Sequence, residues 1–394
     1  MFFVDGFAKD EIMEKLLEFF YGIQDEDLLR DAHTFSKSCV PYCEVAISGE
    51  EDTIVGQILS GVWAVFVDGM DQCVLIDQRT YPQRTTSEPD QDKSFRGSRD
   101  GFVETMVFNA ALIRRRIRSP RLCVEHLEVG ETSRTDVAVC YFEGRADPEL
   151  VNTVRERIAQ ARVDALTMNQ ESLAELLVRK RWYNPFPKFK FTERPDAAAA
   201  QILEGDVVVL VDNSPAAIIL PTTLFDVMEE ANDYYFPPIT GSYLRLVRFF
   251  TTFLTTFLTP VWLLLIQEPE RVPGWLEFIL MEEPAQVPPL LQLLILELAI
   301  DGLKLAALNT PNILTTSFSM IGAIILGDFA VQSGWFSAEV MLYMAVVAIA
   351  NYNQPNLELG YALKFMRLIL LVATGLLGLW GFVGGAALLF LVLV

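Results

Sequence analysis

The chain has 394 residues, of which 52% are hydrophobic, and carries a formal net charge of −20 at pH 7. This acidic balance excludes a general nucleic-acid ligand, because the phosphate backbone would repel the chain. Only ten of the 51 acidic and six of the 31 basic residues lie after Tyr243, where long uncharged runs begin. We therefore predict a soluble head followed by a membrane domain.

The head contains an internal repeat. Residues 57–68 (Gln-Ile-Leu-x-Gly, then an apolar run and Asp) recur with the same spacing at residues 201–212, and residues 2–6 match residues 140–144. Each copy predicts a strand, a helix, a middle segment, a helix that ends in Gly, and an apolar hairpin. The hairpins are expected to turn at Asp68-Gly69 and at Asp212-Asn213.

The repeat predicts the fold class, which is an α/β head of two related subdomains followed by an all-α polytopic membrane domain. The expected boundaries are residues 1–108 for the first subdomain, 109–135 for a connecting helical segment, 136–243 for the second subdomain, and 244–394 for about five or six membrane helices. The chain opens on an apolar strand-like run and closes inside an apolar segment. We therefore expect both ends to be truncated.

The connecting segment includes a cationic helix at residues 109–118 (NAALIRRRIR). Such a helix either forms a solvated face that offsets the acidic head or binds anionic lipid headgroups.

We find no sequence motif of a catalytic or cofactor-binding site. Walker, nucleophile-elbow and dinucleotide-binding motifs are absent from the sequence, and two histidines leave little general-base chemistry near neutral pH. Cys123 and His126 could supply two zinc ligands, but a zinc site needs about four. The five cysteines are irregularly spaced, which indicates reduced thiols. We expect no enzyme activity, cofactor or metal.

Five apolar segments follow the head, and most are long enough to cross a membrane. They lie at residues 249–266, 290–308, 313–332, 338–350 and 366–394. The last segment contains three glycines near its middle and is either one long helix or a tight hairpin. Basic residues flank one end of the spans, whereas the loop 267–287 is acidic; these bases are Arg245, Arg248, Lys364 and Arg367. The positive-inside rule therefore predicts a cytoplasmic head.

Polar residues inside the spans are the strongest functional signal. Glu297, Asp301 and Lys304 share one helix face of the second span, and the third span contains Asp328. The shared face is either a self-neutralising ion pair inside a bundle or a charged ring that lines a pore. Two acids and one base would favour cations. With the threonine stripe of the first span, the predicted pore-lining residues are Glu297, Asp301, Lys304, Thr251, Thr255 and Thr259, although threonine hydroxyls can also bond back to the preceding turn.

Five ordered segments resemble the GerA family of spore germination proteins. They are residues 94–104 (SFRGSRDGFVE), 111–118 (ALIRRRIR), 184–187 (NPFP), 192–196 (TERPD) and 241–245 (GSYLR). Residues 79–84, 137–141 and 357–362 are more similar to a sporulation-stage branch of the family than to its nutrient-receptor A subunits.

The resemblance implies a multi-pass protein of the spore inner membrane, with its head on the cytoplasmic (core) side, that forms a pore and releases ions during germination. The implied partners are membrane lipids, ions, further copies of the chain in a homo-oligomer, and other germination membrane proteins. A non-conducting germinant-receptor or scaffold subunit is the alternative. Residues of the shared segments are expected at contacts between subdomains or subunits: Arg96, Arg99, Asp100, Glu193, Arg194 and Asp196.

Overall fold

The computed structural model describes residues 1–4, 10–24, 28, 30–42, 44–79, 85–89, 97–178, 183–281, 286–309 and 330–393. The chain forms two compact units. The first comprises Met1–Ser87 and Val103–Thr105, and the second comprises Glu88–Phe102 and Met106–Val394.

The first unit is a small α/β domain. Its elements are α1 (Asp10–Tyr21), α2 (Ala32–Ser38), β1 (Val45–Ser48), α3 (Glu51–Leu59), β2 (Trp63–Val65) and β3 (Cys73–Ile76). The antiparallel sheet has the order β1-β3-β2. Asp31 caps α2, since its carboxylate accepts a hydrogen bond from the backbone N–H of Thr34. Leu16 of α1 and Phe35 of α2 pack with Trp63 and Ile76 of the sheet in one buried core.

The second unit begins with a larger α/β domain. Its elements are α4 (Met106–Arg116), β4 (Leu122–Val129), β5 (Thr135–Phe142), α5 (Pro148–Ala159), α6 (Gln170–Leu177), β6 (Lys190–Thr192), α7 (Pro195–Glu204), β7 (Val207–Val211), β8 (Ala217–Leu220) and α8 (Leu224–Met228). The sheet is antiparallel with the order β4-β5-β7-β8-β6. Alternate side chains of β7 enter two cores, with α4 and α7 on one face and α5 and α6 on the other.

The two α/β domains share their central topology, as the repeat predicts. In the first, β1, α3, β2 and β3 follow in sequence and pair in the order β1-β3-β2; in the second, β6, α7, β7 and β8 pair as β6-β8-β7. The bridge from Phe2 to Ala64 corresponds to the pairing of Cys140 with Val208. Gly205 ends α7 with a φ of 115°, a left-handed conformation that suits glycine.

The boundary between the α/β domains differs from the expected one. The predicted connector, residues 109–135, supplies most of α4 and the whole of β4 to the second unit. β4 pairs with β5 over eight residues, from Leu122 opposite Phe142 to Val129 opposite Thr135, so it belongs to the second sheet. The repeat gave no signal for β4, because the repeated pattern starts at the next strand.

Four long apolar helices complete the described part of the second unit. They are α9 (Pro238–Gln267), α10 (Pro289–Asn309), α11 (Ala338–Tyr352) and α12 (Leu357–Leu393). By length and composition, α9 and α12 could cross a membrane, and α11 is shorter. The expected span at residues 313–332, with Asp328, lies outside the described residues except for a helical turn at Ala330–Gln332.

The last apolar segment is a hairpin of two helices. Gly378 has a φ of 56° and a ψ of −134°, which breaks α12 into a first arm (357–377) and a second arm (379–393). Leu389 of the second arm packs in one cluster with Leu363 and Met366 of the first. At Gly381, a Cβ would overlap the backbone carbonyl oxygen of Ala373 in the first arm, so the close approach of the arms requires glycine there.

Two contacts give the relative direction of α9 and the first arm. Midway along α9, Asn353 Nδ2 donates to Thr251 Oγ1 at 3.0 Å. At its end, Gln267 Nε2 donates to the carbonyl oxygen of Gly375 at 3.2 Å. Asn353 directly precedes the first arm and Gly375 lies near the end of that arm, so the two helices run parallel. Asn184 Nδ2 donates to the carbonyl oxygen of Val392 at 3.2 Å, which joins the end of the second arm to the α/β domain of this unit.

Candidate functional site

A buried ion-pair cluster lies where α10 meets the first arm of α12. Glu297 is only 3% exposed. Arg367 donates from Nε to Oε1 of this carboxylate at 2.6 Å and from Nη2 to Oε2 at 2.9 Å. Lys364 lies 3.2 Å from Oε2 and also donates to the backbone carbonyl of Glu297 at 3.0 Å. Two bases of the hairpin thus neutralise one buried acid of α10.

Asp301 lies one helical turn after Glu297 and is less enclosed. One of its oxygens pairs with Lys364, and the side chain is 27% exposed. Its Oδ1 atom has no hydrogen-bond partner among the described residues. Asp301 is therefore the acid of the cluster with unused acceptor capacity.

Among the described residues, Lys304 forms no ion pair with Glu297 or Asp301, which differs from the expected pairing within α10. Its Nζ atom lies 4.7 Å from the ring centroid of Tyr352 and 5.8 Å from that of Tyr361. When the Asn351 amide is oriented so that its nitrogen donates to Gly360 O, its oxygen accepts from Lys304 Nζ at 3.0 Å. The amine is thus held by two aromatic faces and an amide.

The charge of the cluster differs from the expected negative ring. Two acids, Glu297 and Asp301, meet three bases, Lys304, Lys364 and Arg367. The described residues of the cluster therefore carry one net positive charge. Lys364 and Arg367 lie more than 60 positions after Glu297 in the sequence. Helical spacing within the expected second span therefore gave no sign that these two bases belong to the cluster.

The threonine stripe of α9 adjoins the cluster. Arg367 Nη1 donates to the backbone carbonyl of Thr255 at 2.5 Å. Thr255 and Thr259 are fully buried. Thr255 Oγ1 donates to the carbonyl oxygen of Thr251 at 2.9 Å, and Thr251 Oγ1 donates to Arg248 O at 3.0 Å, as expected for hydroxyls that bond back to the preceding turn. The assignment of these threonines as pore-lining residues stays a prediction. Because Thr255 and Thr259 are buried inside the chain, such a pore would have to run through one protomer.

A small cavity lies beside the ion pairs. Its polar lining consists of Glu297, Lys304, Asn351, Lys364 and Arg367, and its apolar lining of Ile300, Met344, Val347 and Ala348. The cavity lies between α10, α11 and the first arm of α12, so charged groups of two helices face one space.

A second polar network joins the α/β domain to the start of α9. Arg194, which is 1% exposed, donates from Nη2 to Asp196 Oδ2 at 2.7 Å and from Nη1 to Asn232 Oδ1 at 3.4 Å. The Tyr235 hydroxyl donates to Asp196. Burial raises the pKa of Asp196, but hydrogen bonds from Arg194 and Tyr235 outweigh it, and the pKa is lowered overall.

Residues 230–235, which include Asn232 and Tyr235, also contact α9 through Arg248. This guanidinium donates from Nη1 to Asp233 Oδ2 and from Nη2 to Glu230 Oε2, both at 2.7 Å. Burial raises the pKa of Asp233 although Arg248 acts in the opposite direction. Residues 230–235 therefore contact the α/β domain on one side and the first long apolar helix on the other. We call these residues and their partners Arg194, Asp196 and Arg248 the neck.

The other expected contact residues are dispersed. Arg116 Nη2 lies 2.6 Å from Asp100 Oδ1. The backbone carbonyl of Glu193 accepts from Phe102 N at 2.8 Å. Arg99 is exposed, and Arg96 lies outside the described residues. The contacts of Asp100 and Glu193 are within the second unit, and contacts between subunits stay a prediction.

The described cysteines, Cys39, Cys73, Cys123 and Cys140, are free thiols. Within the described ranges, no group of three or more His, Cys, Asp or Glu residues could hold a metal ion.

The family model of the Bacillus/Clostridium GerA spore germination protein matches residues 1–394. The chain belongs to the GerA family. Its identity to stage V sporulation protein AF of Bacillus subtilis (strain 168) is 43% over 334 residues, which are 85% of this chain and 68% of that protein. The resemblance seen in the sequence is thereby confirmed, including its sporulation-stage branch.

The chain is also similar to two other proteins of spore germination. Spore germination protein A1 of Bacillus subtilis (strain 168) is 29% identical over 332 residues, which are 84% of this chain and 68% of that protein. Among solved structures, the N-terminal domain of the A subunit of the Bacillus megaterium spore germinant receptor GerK3 is 34% identical and covers 32% of this chain and 97% of its own, with a TM-score of 0.26.

Proposed function

We propose that this GerA-family protein is a multi-pass subunit of the spore inner membrane that passes ions during germination. The observation that carries the proposal is Glu297 held between Lys364 and Arg367 inside apolar helices. Glu297 lies about 12 Å from the start of α10 and about 18 Å from its end. A charged side chain at such a depth costs about 2.5 to 3.5 kcal/mol on insertion scales, and such residues commonly mark ion pathways.

The proposed path runs through a protomer, between α9, α10 and the first arm of α12. Burial of Thr255, Thr259 and Glu297 supports an internal path over one between subunits. The ion pairs close this path in the present state. Passage requires Arg367 to leave either Glu297 or the Thr255 carbonyl, because the guanidinium occupies the space between the three helices.

The proposed topology has the neck, the start of α9 and the loop before α12 on the cytoplasmic side, and the acidic loop 267–287 outside. The parallel directions of α9 and the first arm support this alternation. Arg245 and Arg248 precede the apolar part of α9, as the positive-inside rule requires. Lys364 and Arg367 give this orientation no support, because they pair with acids inside the bundle. The proposed partners are lipids, ions, further copies of the chain and other germination membrane proteins.

Ion flux through the purified full-length protein in sealed lipid vesicles tests the proposal. Passive flux of small ions should exceed that of protein-free vesicles and should change when Arg367 is replaced by Met. The variant Arg155→Met in the α/β domain is the matched control, since it removes the same charge from a partly exposed position outside the long apolar helices α9 to α12. Flux equal to that of protein-free vesicles for all three proteins would refute the conducting role.

A non-conducting receptor or scaffold subunit is the second candidate. It is favoured by the pairing of both cluster acids with bases, since a closed ion-pair network can hold helices together without conducting. In this case Arg367→Met would lower the stability of the protein, and neither the wild type nor the variant would pass ions.

A further inference from the structure

The cavity beside the ion pairs has an unusual wall for an apolar helix bundle. Three cationic side chains, those of Lys304, Lys364 and Arg367, face it with one carboxylate, that of Glu297. The remaining polar group of the wall is the Asn351 amide. With Asp301, which pairs with Lys364, the described groups at the cavity carry one net positive charge.

These cations differ in how far they are neutralised. Arg367 makes two hydrogen bonds to Glu297, and Lys364 contacts both Glu297 and Asp301. Among the described residues, Lys304 contacts the faces of Tyr352 and Tyr361 and the Asn351 amide oxygen and forms no ion pair, although the charge of Asp301 lies near enough to attract it. Its ammonium group has three donors, and an amide oxygen and two rings do not supply a counter-charge.

We propose that the cavity binds one small inorganic anion of about the size of chloride, with Lys304 as its principal ligand. A positive wall in surroundings of low dielectric attracts an anion and repels a cation. The cavity has room for a guest about as large as one water molecule, which excludes sulfate and organic anions. The inference rests on the proposed function, since it names the class of ion that occupies the same helices.

The inference reverses the ion preference expected from α10 alone. Glu297, Asp301 and Lys304 on one helix give a negative face, whereas the bases of the hairpin make the assembled cavity positive. An anion would sit against Lys304 without displacing Arg367 from Glu297. Binding should therefore occur in the closed state, and its detection does not depend on conduction.

Thermal unfolding of the full chain in detergent tests whether the cavity binds an anion. The Tm is compared in sodium chloride, sodium bromide, sodium sulfate and sodium gluconate at the same ionic strength. Chloride and bromide should raise the Tm of the wild type by several degrees over gluconate and sulfate. Lys304→Met should lose this difference, and Lys304→Arg should keep part of it. Lys188→Met, which removes an exposed lysine of the α/β domain, is the control and should behave as the wild type.

Line broadening of the chloride-35 NMR signal provides a second measurement, because exchange at a protein site broadens it. Broadening by the wild type and by Lys188→Met, but not by Lys304→Met, supports the site. Equal broadening by all three, or a Tm that depends on ionic strength alone, would mean that water fills the cavity and would overturn the inference. A protein that binds chloride but passes no ions in vesicles would keep the anion site and refute the proposed function.

Discussion

Arg367 and Glu297 form a bidentate ion pair between the hairpin and α10, with donor to acceptor distances of 2.6 and 2.9 Å. The remaining guanidinium nitrogen, Nη1, donates to the Thr255 carbonyl of α9. One side chain thus links three helices at a common depth. Because all three groups are buried, the loss of any one leaves some hydrogen-bonding groups of the others unsatisfied and out of reach of water.

Replacing Arg367 by Met should destabilise the protein by about 3 to 5 kcal/mol, because Glu297 would keep only Lys364 for its charge. Denaturant or detergent titration of the full chain, followed by circular dichroism, measures the change. The double variant Glu297→Gln with Arg367→Met should recover most of the loss, since it removes both charges together. A single-variant loss below about 1 kcal/mol would mean that the pair contributes little to folding.

Part of this arrangement could be predicted from the sequence. Glu297 and Asp301 are recognisable because they interrupt an apolar span at helical spacing. Lys364 and Arg367 were instead predicted to flank a span, because the expected last segment started at Met366. The observed helix starts at Leu357, which places both bases seven to ten residues inside it. A helical projection that starts at Leu357 would have placed Lys364 and Arg367 among the apolar residues of the first arm.

The topology of the α/β domains was more accessible to sequence reasoning. The repeat of residues 57–68 at 201–212 is a local pattern, and it corresponds to a helix end, a glycine and a strand in both copies. The network of the neck was not predicted, because Arg194 contacts Asn232 and Tyr235, which lie about 40 residues later in the chain. Only folding brings these groups together.

The neck should contribute substantially to stability. Replacing Arg194 by Met removes its bidentate contact with Asp196 and its contact with Asn232, and we expect a loss of about 2 to 4 kcal/mol. Limited proteolysis near residues 230–237 should become faster, because this segment would lose contacts with the α/β domain. Arg155→Met is the control; its pair with Glu125 is partly exposed to solvent, and its loss should cost less than about 1 kcal/mol. Equal losses in the two variants would contradict this role of the neck.

Asp206 should make the α/β domain of the second unit more stable at acidic pH. Burial and repulsion by Asp226 and Glu204 raise its pKa to about 6, above the value near 3.9 of an unfolded chain. The folded state therefore binds the extra proton, and this contribution to stability is present below about pH 4 and lost as pH rises through 6.

Replacing Asp206 by Asn should consequently stabilise the protein at pH 7 by about 1 kcal/mol, a figure reduced for the partial solvent exposure of the group. The difference in unfolding free energy between the variant and the wild type should shrink as the pH falls from 7 to 4. The exposed turn variant Asp68→Asn serves as the control. A gain from Asp206→Asn that is the same at pH 4 and pH 7 would exclude titration of Asp206 as its cause.

The membrane topology can be tested by cysteine labelling in a variant without native cysteines. Ser87, Gln286 and Asn353 are exposed and suitable for single replacement by Cys. An impermeant maleimide should label Ser87→Cys and Asn353→Cys from one side of an intact membrane, and Gln286→Cys from the other. Labelling of Ser87→Cys and Gln286→Cys from the same side would show that the proposed alternation of spans is wrong.

The acids of α10 test whether the cluster conducts or only holds helices together. Replacing Glu297 by Gln and Asp301 by Asn leaves Lys364 and Arg367 without carboxylates, so the double variant changes both charge and stability. If ions pass through the cluster, the ratio of cation to anion flux into vesicles should fall, because the path would carry three positive charges and no negative one. The hydroxyl variants Thr251→Val and Thr255→Val should have smaller effects.

The single variant Asp301→Asn separates the two roles best. Asp301 is partly exposed, and its Oδ1 atom has no hydrogen-bond partner among the described residues, so an amide can replace the carboxylate at little structural cost. Its charge nevertheless adjoins Lys364, and its removal would make the path more positive. A conducting cluster should therefore show a several-fold lower ratio of cation to anion flux in Asp301→Asn, with stability within about 1 kcal/mol of the wild type. If ion preference is unchanged while the double variant unfolds more easily, the charges form an internal network, and any conducting path avoids them.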